Sequence, residues 1–160
     1  MADGQSGALP DRDRELWDSR LRRLYDYWDE LRGEWLAPPR GAIEPFDLKF
    51  LLGRLAIVEV GQGASASAYR FRLMGTRLAE QDGIDLTGKT LDAHPMSEHR
   101  ETAREHYDEV VRRQTPLYRE VEWTHARRTR RHGRLVLPLS EDGAAVDGLL
   151  IGRVELLGGG

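Results

Sequence analysis

Tyr69–Asp92 reads YRFRLMGTRLAEQDGIDLTGKTLD. Tyr69, Phe71 and Leu73 alternate with Arg70, Arg72 and Met74, the period-two pattern of a strand with one buried face. Gly75 stops the strand, and Thr76 is placed to cap a short helix over Arg77–Asp82 with its hydroxyl. Gly83 is placed to end that helix in the left-handed conformation, and Gly88 gives a second reversal before Leu91. Arg70 and Arg72 share the strand face opposite Tyr69, Phe71 and Leu73. That face is either solvated, salt-bridged to the acidic first helix, or a pair of arginines holding an anionic ligand.

Upstream of this stretch, Trp17, Leu21, Leu24, Trp28, Leu31 and Trp35 are spaced 4, 3, 4, 3 and 4 apart. That spacing predicts an amphipathic helix over 12–35, stopped by Gly33 and the Pro38-Pro39 pair. The same steps match a coiled-coil heptad. The stripe therefore serves either packing on the chain's own sheet or packing plus a dimer contact. Pro45 opens a short helix, and Leu55–Val60 is a strand joined by a loose connection, Gly61–Ser67, to the strand Ala68–Met74. Downstream, Ser97–Gln114 is the longest helix of the core, stopped by Pro116. Three strands follow, Leu117–His125, Arg134–Leu139 and Val146–Leu156. The domain division is a disordered tail over 1–10, the amphipathic helix over 11–36, a main domain over 37–157 and a flexible tail over 158–160.

A strand, small helical turns, one long helix and three strands resemble the layout of a PAS domain. The quoted stretch resembles the signature of single-domain PAS proteins common in alphaproteobacteria. The likeness extends to YWDELRG at Tyr27–Gly33, the Arg40–Pro45 linker and Leu137-Pro138-Leu139-Ser140. It implies an α+β PAS fold, a five-stranded antiparallel sheet in the order 2-1-5-4-3, with helices on one face and the N-terminal helical extension covering the other. It also implies a ligand pocket between sheet and helices, expected at Tyr69, Phe71, Leu73, Thr76, Leu86, His99, Ala103, His106 and Val110. The partner or dimer helix is expected to present Trp17, Leu21, Leu24, Trp28 and Leu31.

Composition narrows the chemistry. The 160 residues hold no cysteine, which excludes disulfides, thiolate zinc sites, cysteine nucleophiles and cysteine–flavin photochemistry. No apolar run reaches the roughly 20 residues that span a bilayer, so a cytoplasmic protein with no membrane partner is expected. The net charge of −3 gives no overall attraction to nucleic acid. Arg127, Arg128, Arg130, Arg131 and Arg134 cluster around Gly133 and read as a hairpin tip, solvated or phosphate-binding. The run carries no aromatics, so no nucleic-acid partner is expected. His99 and His106 share the apolar face of the long helix with Ala103 and Val110. In haem-binding PAS proteins a histidine of this helix holds the iron, but no second haem feature is visible. Neither haem nor a metal is predicted, and the identity of any small ligand stays open. There is no GxSxG, P-loop or HExxH motif, so no catalytic residue is assigned. The expected function is a non-catalytic sensory or signal-relay module. It acts through a regulatory protein partner, as a homodimer, and a small ligand gates it. The alternatives are a haem or small-molecule carrier and a small enzyme.

Overall fold

The computed structural model describes residues 14–61, 68–125 and 127–156; both expected tails and residues 62–67 lie outside them. The elements are α1 (Ser19–Arg32), β1 (Leu55–Val60), β2 (Tyr69–Met74), α2 (Thr76–Asp82), α3 (Ser97–Arg113), β3 (Leu117–His125), β4 (Arg128–Leu139) and β5 (Gly148–Glu155). Short 3-10 turns occupy Arg40–Ala42, Pro45–Leu51 and Leu91–Ala93. The strands form one sheet in the order β2-β1-β5-β4-β3 with every neighbour antiparallel, as expected.

Both faces of the sheet are covered. On one, α2 and α3 bury Val58, Phe71, Ala103, Tyr107, Val110, Val136 and Ile151. On the other, α1 buries Leu21, Leu24 and Trp28 against Leu135, Leu137, Leu150 and Val154. The alternation of a strand assigns neighbours in β4 and β5 to opposite layers. Two glycines let α1 approach closely. A Cβ on Gly152 would stand 2.7 Å from a Leu24 methyl, and one on Gly133 would stand 3.2 Å from a Leu21 methyl.

The helix of the extension is shorter than the stripe predicts. Asp18 caps it by accepting from the Arg20 amide at 2.9 Å, so Trp17 precedes the helix instead of lying on it. Gly33, at φ +56°, ends it before Trp35. Trp17 is still buried, stacked on Tyr118 at 4.6 Å. Trp35 is 53% exposed and rests beside Gly143.

Two local expectations are corrected. Thr76 does not cap α2, because the Gly53 carbonyl accepts from the Arg77 and Leu78 amides and supplies that role. Gly75 lies so close beneath this carbonyl that a Cβ there would collide with its oxygen. The second correction is the arginine cluster. The last pair of the hairpin is His125 opposite Arg128, with Arg127 at φ +65°, and Gly133 sits inside β4 opposite Glu120. Arg130 and Arg131 pair with Glu155 and Glu120, while Arg134 is buried at 2% exposure. A strand running on through the cluster sends alternate side chains inward, which a solvated turn would not.

Candidate functional site: a buried polar cluster under the sheet

Beneath α2 and α3 the core is not apolar throughout. Asp82, His94, His99, His132, Arg134 and Arg153 are all buried. They arrive on several separate pieces of backbone. Gly83, in the left-handed conformation at φ +76°, ends α2 just after Asp82. The turn Leu91–Ala93 delivers His94, and the first turn of α3 delivers His99. His132 and Arg134 come from β4, and Arg153 from β5.

Asp82 is the hub. Its carboxylate accepts from Arg153 at 2.6 and 3.3 Å. His94 Nδ1 accepts from the Met96 amide at 3.1 Å, so its proton resides on Nε2, which donates to Asp82 at 3.3 Å. Burial alone would raise the Asp82 pKa, but the His94 hydrogen bond and the Arg153 charge outweigh it and hold the carboxyl below its usual range. The rings form a ladder. His94 stacks on His99 at 4.2 Å, His99 meets the edge of Trp123 at 5.0 Å, and Trp123 stacks on His132 at 4.3 Å.

Ligand atoms of Asp82, His94 and His99 lie within 4.8 Å of one another, a spacing that invites a metal. The surrounding chemistry does not fit one. The Nδ1 lone pair of His94 is already used and its Nε2 carries the proton, while Arg153 occupies the carboxylate. A cation would also stand beside two guanidinium groups, Arg134 and Arg153, that line the same cavity.

Arg134 is the unbalanced member. Among the described residues its side chain makes one hydrogen bond, from Nη1 to His106 Nδ1 at 3.1 Å, and no carboxylate pairs with it. Burial lowers its pKa. Among the described residues, His132 Nδ1 and Nε2 and Arg153 Nε are buried without a hydrogen-bond partner.

Two small cavities adjoin this group, each of about 20 Å³. The inner one is lined by Arg134, Arg153, Asp82, His99 and apolar side chains including Phe71 and Leu86. The outer one lies between α3 and β3 and shares His99 and Arg134 with the inner one. Each holds little more than a water.

Of the residues expected to line a pocket, the structure brings Phe71, Leu86 and His99 to the inner cavity. Tyr69, Ala103 and Val110 are buried in the adjoining apolar layer, with Tyr69 hydrogen-bonded to Asp108. His106 is half-buried on Arg134. Thr76 is exposed, and Leu73 is 46% exposed. Leu73 is turned outward by a bulge in β2. Ile57 pairs with Leu73 but Val58 with Phe71, and the extra residue moves Met74 to the buried face. Arg70 and Arg72 lie outside the site; Arg72 pairs with Glu59 at 2.9 Å and Arg70 donates to the Gly88 carbonyl. Of the helix residues, Trp17, Leu21, Leu24 and Trp28 are buried against the chain's own sheet, and Leu31 is 37% exposed.

Sequence reasoning passed over Asp82, His94, Arg153, Trp123 and His132. The signal available was a charge inside an apolar strand run, as in LLIGRVELL at 149–157. A charged residue in the middle of a strand covered on both faces is buried, as Arg153 is, whereas Glu155 at the strand end is exposed.

Acid should weaken the fold through this cluster. Burial, then the Arg134 charge, lowers the His99 pKa to about 2. Burial and the Arg153 charge lower that of His132 to about 4. Below pH 6.5 the unfolded chain takes up protons that the native imidazoles refuse, so stability falls as pH falls. With about 1.4 kcal/mol per pH unit for each group, the two together cost about 2–3 kcal/mol per unit between pH 6 and pH 4. Urea midpoints across that range test this, and a flat profile would contradict it.

A family model described as "PAS domain" matches residues 18–151. No curated protein matches the chain. Among solved structures, that of a single-residue variant of RsLOV is 15% identical, with a TM-score of 0.50, over 68% of this chain and 64% of that one. The Rhodobacter sphaeroides LOV protein is 15% identical over 67% of this chain and 61% of that one, with a TM-score of 0.49. The chain thus spans just under two thirds of those two. A light-oxygen-voltage domain studied with a flavin analogue is 10% identical, with a TM-score of 0.51, over 71% of this chain and 84% of that one. At these identities the likeness is one of fold. No helix among the described residues is long and apolar enough to cross a membrane.

Proposed function

The chain belongs to the PAS domain family, and from that premise we propose that it is a non-catalytic sensory module which relays the state of its buried polar pocket to a protein partner through α1. One observation carries this reading. The same two strands serve the pocket on one face and α1 on the other. Arg134 and Arg153 line the polar cluster, while their neighbours Leu135 and Val154 pack in the α1 layer. A shift of β4 or β5 that repositions an arginine therefore moves the seat of α1. A ligand drives such a shift only by the difference in its affinity for the two arrangements.

The partner surface is the outward side of α1 and the segment after it. The buried part of the stripe is spent within the chain. Leu31 and Trp35 remain exposed, at 37% and 53%, and exposed apolar groups on a packed element are candidates for partner contact. Affinity capture from the host's own extract tests both halves of the reading. A variant with Leu31→Asp and Trp35→Ala should lose a protein that the wild type captures. Arg134→Met, which alters only the pocket, should change how much of it is captured. Identical capture by all three proteins defeats the proposal.

A further inference from the structure

We propose that the polar cluster is a receptor for a small monocarboxylate of about the size of formate or acetate, with its carboxylate seated on Arg134. This rests on the reading of the cluster as a ligand pocket. The argument begins with a charge count. Two guanidinium groups and one carboxylate line the inner cavity, and the carboxylate of Asp82 is engaged by Arg153 at 2.6 Å. Among the described residues the side chain of Arg134, 2% exposed, has one hydrogen-bond partner, the His106 imidazole nitrogen, and no carboxylate within ion-pair distance. A buried charge without a counter-ion is costly. A fold that retains one is poised for an anion that supplies the missing charge.

The chemistry of the site selects the anion. Guanidinium presents a planar fork that matches the two oxygens of a carboxylate. His99 borders both cavities beside Arg134. Phe71 and Leu86 on the inner side suit a short apolar body and offer no further hydrogen bonds. Singly each cavity of about 20 Å³ holds little more than a water, so a formate or acetate is accommodated only across both, where they share His99 and Arg134. Glu98 and Glu122 line the outer cavity, and their carboxylates repel a multiply charged ion more than a singly charged one. That disfavours phosphate.

The test uses the full chain in a non-carboxylate buffer at matched ionic strength. Melting midpoints and calorimetric titrations are recorded with formate, acetate, acetamide, hexanoate and inorganic phosphate. Formate or acetate should raise the midpoint to a saturating value. Acetamide, of similar shape but neutral, should leave it unchanged, and hexanoate should be too large. In Arg134→Met the affinity for acetate should fall roughly tenfold or more, the scale of a lost charge-assisted contact. The ligand-free midpoint of that variant should rise, since an unpaired buried charge is gone. The acetate and acetamide comparison needs no variant and decides the matter even if Arg134→Met does not fold. Equal effects of acetate and acetamide, binding of phosphate alone, or undiminished acetate binding by Arg134→Met would each overturn the assignment. If acetate binds but Arg134→Met captures partners as the wild type does, the relay fails and the ligand class stands. If capture responds and no carboxylate binds, the reverse holds.

Discussion

Asp82→Ala should lower the stability of the folded chain by about 3–5 kcal/mol, the cost of stripping one partner from a buried ion pair. Asp82 and Arg153 are 9% and 4% exposed, and the pair is bidentate, at 2.6 and 3.3 Å. Without the carboxylate, Arg153 and Arg134 both remain as uncompensated charges in one small volume, and His94 Nε2 loses its acceptor. A domain of this size has roughly 5–15 kcal/mol in total, so the variant should be marginal. Asp82→Asn preserves volume and an acceptor but not charge. It should be nearly as damaging if electrostatics governs the site. Urea midpoints of both variants at pH 7 give the answer, and a loss below about 1 kcal/mol for Asp82→Ala would mean the pair is not the hub described.

Trp28→Ala should cost about 3–5 kcal/mol, the range for removing a fully buried large aromatic. Trp28 is 1% exposed, and its indole Nε1 donates to the Pro138 carbonyl at 2.8 Å. Truncation leaves a cavity between α1 and β4 and orphans that carbonyl. The layer has little means of closing over the gap, because Tyr25 packs on both Trp17 and Trp28 at 5.9 and 5.8 Å. The readout is a denaturant melt. An unchanged midpoint would mean that α1 is not docked on the sheet in solution, and the proposed relay would fall with it.

The order of elements, most of their boundaries and the need to cover α1 are legible in the chain itself, and the sheet order follows from the family likeness. Those properties rest on local signals. Period-two alternation marks strands, a stripe of tryptophan and leucine marks the helix, and Gly83 and Pro45 punctuate. Such signals are written in residues a few positions apart, so a single pass along the chain reads them. They fail where one inserted residue changes a register, as at the β2 bulge that exposes Leu73. They fail again where a cap overrides a stripe, as Asp18 does ahead of Ser19.

The site, by contrast, exists only in three dimensions. Asp82 and Arg153 are far apart in sequence and meet because α2 ends over β5. Arg134 reads as part of a solvated turn in the chain, yet β4 runs through the arginine cluster with both faces covered. Whether an arginine is a surface charge or a buried one depends on what lies above and below its strand. That depends on contacts between segments, each weak in sequence, which become definite only when the whole sheet closes between α1 on one face and α2 and α3 on the other.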